Sequence, residues 1–219
     1  MALIAGMEFR FDLDFNELDL NETEAYLKNV VSQYSDLIYG QNTEVHVQLW
    51  EGSLRVRLAI VGAIYIGIGQ YGSFRSGIDH LIQDAKSLKE LVSSQVVKNG
   101  LNESDIIDSK RMHCDPDRIR RVLLAVDRLE SNKSLSKDEL VKEISKIRTS
   151  VRKICWSIGE KDIGLFASSI SEKYWPEDRD IPYFVEKYRI AAREEDIVHY
   201  PVESLTSKRV NKALQRTSH

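Results

Sequence analysis

The chain has 219 residues, 42% hydrophobic and 30% charged, with a formal net charge of −3. Those values suit one globular domain or two small ones and exclude a chain that is disordered throughout, collagen-like or of low complexity. They give no general electrostatic pull toward nucleic acid, and two cysteines, Cys114 and Cys155, cannot build a disulfide framework or a four-cysteine zinc site. The charge is uneven: residues 1–50 hold nine acids against Arg10 and Lys28, a net of −7, which leaves +4 for the rest. Such a split reads first as solvated faces of a folded domain, and second as attraction between the two ends or toward a partner. The first residues lack a basic stretch and a long apolar run, so a cytoplasmic protein with reduced cysteines is expected.

Met7, Phe9, Phe11, Leu13 and Phe15 alternate with charged residues, the period of a strand with one buried face. Asn21 followed by Glu24 offers a helix start, and Tyr26, Val30, Tyr34, Leu37 and Ile38 carry the helical period to Gly40. Val45, Val47 and Leu49, the turn Glu51-Gly52-Ser53, and Leu54, Val56, Leu58 and Ile60 read as a hairpin. From Ile60 to Val92 apolar or small residues recur at four-three spacing, which predicts one long helix ending near Asn99-Gly100. Glycines at 62, 67, 69, 72 and 77 oppose its first half, and the alternative continues the strand to about Ile68 and starts a helix near Ser73.

Beyond a polar loop at 102–114, Asp115-Pro116 predicts an N-cap with proline at the first helical position, and Ile119, Val122, Leu123, Val126 and Leu129 form the buried stripe. Ser136 and Glu139 form a capping box ahead of Leu140, Ile144, Ile147, Val151, Ile154 and Ile158, with Lys142, Lys146, Arg152 and Lys153 on the other face. Shorter helices are expected over 162–175 and 181–195, then a basic tail from Pro201. The fold class is thus α+β: a three-stranded antiparallel β-α-β-β sheet, a long helix and a mostly helical C-terminal half. Residues 1–60 form the sheet region, 61–200 a helical region packed on it as one unit, and 201–219 the tail.

Residues 58–77 are unusually rich in glycine. As a helix they stack Ala59, Ala63 and Gly67, and Gly69, Ser73 and Gly77, on single faces where another backbone can approach closely. As a membrane segment, 58–74 is 17 residues without a charge, the lower limit for a span, so conditional rather than constitutive insertion is the alternative. Gly67-Ile-Gly69-Gln-Tyr-Gly72 matches a dinucleotide motif but has no following strand with a ribose-binding acid, so no cofactor is expected.

Catalytic patterns are sparse. His113-Cys114 has no nearby second ligand pair and reads as a surface loop, and Asp79, His80 and Asp84 read as a polar helix face. The Arg-x4–6-His spacing used by all-helical HEPN ribonucleases occurs at Arg75/His80 and Arg193/His199, against about one match expected by chance. The basic helix at 142–153 suits an acidic partner or nucleic acid, but Glu139 and Glu143 dilute it and no aromatics interleave. The expectation is a non-enzymatic interaction or regulatory protein, without metal or cofactor, that pairs with another protein or itself. Its expected interface is the helix 60–92, through Ala59, Ala63, Gly67, Tyr71, Phe74 and Ile78. The alternatives are a metal-independent ribonuclease using Arg193 and His199, and a membrane-inserting effector.

Overall fold

The computed structural model describes residues 1–14, 18–40, 42–50, 53–68, 73–98 and 103–176. All lie in the first of two units into which the chain divides, Met1–Glu177. Phe15, Gly69, Tyr71, Gly72, the turns at 51–52 and 99–100, the expected helix over 181–195, the basic tail, Arg193 and His199 lie outside the described residues.

The architecture is α+β, with an antiparallel sheet and a helical remainder. Strand β1 (Ala2–Asp14) begins five residues before the alternating run at Met7. A bulge at Ile4, where Leu3 pairs Val61 but Ala5 already pairs Ile60, breaks the period and hides the earlier part of the strand from pattern reading. Helix α1 (Leu20–Tyr39) starts ahead of the expected cap at Asn21: Asp19 is the N-cap and accepts from the amides of Asn21 and Glu22 at 2.9 and 3.0 Å. Gly40 ends it at φ 83°, a conformation that excludes most side chains. β2 (Glu44–Trp50) and β3 (Ser53–Gly62) pair in register, and β3 lies between β1 and β2.

The sheet has four strands rather than three. The expected polar loop contains β4 (Ile106–Arg111), which adds to the free edge of β1. It is short and charged, with Ile107 half exposed, as edge strands commonly are, so it carries no alternation to read. Met7, Phe9, Phe11, Val56, Leu58 and Ile60 on one face of the sheet are buried, together with Leu27, Val30 and Val31 of α1.

The helix expected to run unbroken from Ile60 is three elements. β3 continues to Gly62, α2 covers Ile64–Ile68, and α3 spans Phe74–Lys98. Ser73, whose hydroxyl accepts from the Ser76 amide at 3.2 Å, stands where the alternative reading placed the helix start. The four-three spacing holds within α3, where Ile78, Leu81, Ala85, Leu88 and Val92 are buried, and its continuation into β3 is a coincidence of spacing. Among the described residues no helix is long and apolar enough to cross a membrane.

Gly77 is where close packing is real. A Cβ there would lie 2.7 Å from Cγ1 of Ile68, so α2 and α3 meet at a site with no room for a methyl group. Alanine would gain about 1 kcal/mol in helix propensity, but pressing on a β-branched side chain costs about 1–3 kcal/mol. Gly77→Ala is therefore expected to lower the urea midpoint of unfolding more than Gly159→Ala, whose nearest contact is 3.6 Å and which changes only the N-cap of the helix that begins at Glu160. A Gly77→Ala protein as stable as the parent contradicts this packing.

Candidate functional site

Helix α4 (Asp115–Ser131) opens one residue earlier than expected: Cys114 is the N-cap, Asp115 the first helical residue and Pro116 the second. That shift frees the Asp115 carboxylate for tertiary contacts. It accepts from the Leu3 amide of β1 at 3.0 Å and from Arg118 at 2.8 Å, and Ser157 Oγ lies 2.9 Å away. Arg118 also donates to the Lys153 carbonyl at 3.0 Å, near the end of α5 (Lys137–Cys155). One buried carboxylate thus joins the sheet to both helices.

Two residues on, Asp117 receives the guanidinium fork of Arg111, on β4, at 2.6 and 2.7 Å, and the Cys114 amide at 3.0 Å. Burial pushes the Asp117 carboxyl up, but the Arg111 fork and the Cys114 amide outweigh it and hold the group below its ordinary range. The Cys114 thiol is buried and pushed up to about 12, so the expected surface pair with His113 is not present: His113 is exposed and Cys114 is not.

Helices α4 and α5 are joined through residues 132–136 and run antiparallel, so that Arg118 near the start of α4 meets Lys153 near the end of α5. Ser136 and Glu139 form the expected capping box, with the Glu139 amide 3.3 Å from Ser136 Oγ. Between the helices runs a groove in two adjoining sections of about 600 and 500 Å³ that share Ala125, Glu143 and Ile147. Val122, Ala125, Leu129, Ile147 and Ile154 line it with aliphatic side chains. Arg118, Arg121 and Arg128 from α4 and Lys142, Lys146 and Lys153 from α5 also line it, against the acids Glu139 and Glu143. The stripe predicted to be buried on α5 is buried at Ile147, Val151 and Ile154, but Leu140 is 39% exposed.

The six residues expected to form an interface are not on one helix. Ala59 is on β3, opposite Gly6 and His46. Ala63 lies between β3 and α2, and Gly67 is within α2. Phe74 stacks on Phe166 of α6 (Glu160–Ser168) at 6.2 Å between ring centres, and Ile78 is fully buried in the chain's own core. Tyr71 lies outside the described residues, as do Arg193 and His199. Of the second Arg-His spacing, Arg75 is engaged by Asp127 of α4 and His80 is exposed on α3. Asp79 pairs with Arg120, and among the described residues no group of histidine, cysteine or acidic side chains is arranged to hold a metal ion. Sequence reading misses the groove because an αα-hairpin is legible in sequence while the side it leaves open is not. The cations of 142–153 are the available signal.

Comparison with family models, with curated proteins and with solved structures finds no match.

The Asp117 carboxyl titrates below its unfolded value of about 3.9, so its stabilisation is complete above that value and is lost as pH falls through the lower folded value. Asp117→Asn strands Arg111 and is expected to cost about 3 kcal/mol at pH 7. The stabilities of parent and variant should converge as pH falls from about 4 through the folded value. Denaturant titrations across this range check it, and a constant difference contradicts it.

Proposed function

We propose that this is a non-enzymatic interaction protein and that the groove between α4 and α5 receives a helical segment of a partner protein. The interaction role follows the sequence reading, but its surface moves. Gly77, Phe74 and Ile78 are committed to packing within the chain, whereas the α4–α5 groove is an open channel with a buried aliphatic floor of Val122, Leu129, Ile147 and Ile154, with Ala125 partly exposed in it.

The single observation behind this reading is the unfinished packing of a helical hairpin. Two antiparallel helices bury side chains against each other and leave a channel along their joint surface, which a third helix fills by ridges-into-grooves packing. The exposed Leu124, Leu140 and Val141 stand outside the channel, so its apolar contribution is the aliphatic floor alone. Helix-in-groove recognition uses this combination of a preformed channel and apolar anchors at helical spacing.

Ala125 is common to both sections of the groove, and its small side chain leaves the channel open. Ala125→Trp should fill it from a partly buried position. Peptides selected from a display library on the parent protein are expected to be helical when bound and to lose at least about tenfold in affinity on the variant, while the two proteins melt within a few degrees of each other. Selected peptides that bind Ala125→Trp as tightly as the parent, or a selection that enriches nothing, contradict the proposal.

A further inference from the structure

We infer that the segment accepted by the groove is an acidic amphipathic helix, an inference that rests on the docking reading and specifies its chemistry. It is carried by the placement of charge around an aliphatic channel. On α4 the cations are Arg118, Arg121 and Arg128, at intervals of three and seven, and on α5 they are Lys142, Lys146 and Lys153, at intervals of four and seven. Those intervals keep each set on one side of its helix, so both rims of the channel are positive.

The two acids among the lining residues are already engaged: Glu139 by Ser136 of the capping box at 2.8 Å, and Glu143 by Lys146 at 2.5 Å. Arg118 is held by Asp115. Arg121, Arg128, Lys142 and Lys153 form no ion pair among the described residues, and the Arg121 Nε contact at 3.4 Å is to the neutral carbonyl of Asp117. The groove therefore offers surplus positive charge on both sides of a narrow channel with an aliphatic floor. A helix that matches it has leucine-like anchors along one stripe and carboxylates on both flanks. Carboxylates there would steer the encounter and fix the orientation of the bound helix, and the rims would repel a basic one.

A phosphate backbone would also neutralise the rims, but none of the side chains that line the channel is aromatic, so bases would find no stacking partner. The lack of a stacking partner favours the peptide.

The test uses the full chain and three synthetic helical peptides of about 18 residues that share one leucine stripe and differ in the flanking residues: Glu, Gln or Lys. Fluorescence anisotropy is expected to show the Glu-flanked peptide binding at least about tenfold tighter than the Gln-flanked one at low salt, with the advantage shrinking as salt is added. The Lys-flanked peptide should bind weakest. Lys142→Gln with Lys153→Gln should weaken the Glu-flanked peptide and leave the Gln-flanked one unchanged, and Arg121→Glu with Lys153→Glu, which brings the lining to four cations and four acids, should abolish the preference for Glu. Equal binding of the Glu and Gln peptides overturns the acidic partner while leaving the docking groove standing. Failure of all three peptides to bind removes the groove reading and this inference with it. An oligouridylate that displaces the Glu-flanked peptide and binds more tightly than it does overturns the inference in favour of nucleic acid.

Discussion

The structure turns on the buried carboxylate of Asp115. A charged group this deep is tolerated only when its oxygens are occupied, and here they are met by the Leu3 amide, the Arg118 guanidinium and the Ser157 hydroxyl. Those partners come from β1, α4 and the residues just after α5, so satisfying one charge also fixes how the helical hairpin meets the sheet. Asp117 repeats the logic toward β4, where its fork with Arg111 anchors a strand too short and too charged to hold its edge by burial alone.

From that anchor the groove follows. Held at its first turn, α4 packs against α3 and against α5. The C-terminal half of α5 is covered, with Val151 and Ile154 buried, whereas the N-terminal half leaves Leu140 and Val141 in water. The cations that border the channel restrict what can bind there, so selectivity would come from the rims.

Much of the fold is legible in sequence because its signals are local. Strand alternation in β2 and β3, the Ser136–Glu139 capping box and the Gly40 stop each depend on residues a few positions apart, and each appears where the pattern placed it. The errors have specific causes. The bulge at Ile4 removes the period that would have revealed the start of β1, and β4 has no period because it lies at an edge. The four-three spacing from Ile60 to Val92 touches β3 only at Ile60 and then passes through α2 into α3, so the spacing of Ile60 and Ile64 bridges two elements by coincidence. Reading Gly77 as a point of close approach is sound in kind, but the neighbour is Ile68 of the same chain. The candidate site is less legible, because which side of a hairpin stays open depends on contacts such as Leu3–Asp115 that span 112 positions of sequence.

For any helix to dock between α4 and α5, the channel there must be open in the free protein. Ala125→Cys tests this most directly, because the two native thiols are buried and pushed up to about 12 and so give little background. Under native conditions the introduced thiol should react with a small alkylating reagent while Cys114 and Cys155 stay unmodified. An introduced thiol that reacts only after denaturation would show the channel already filled and contradict the account.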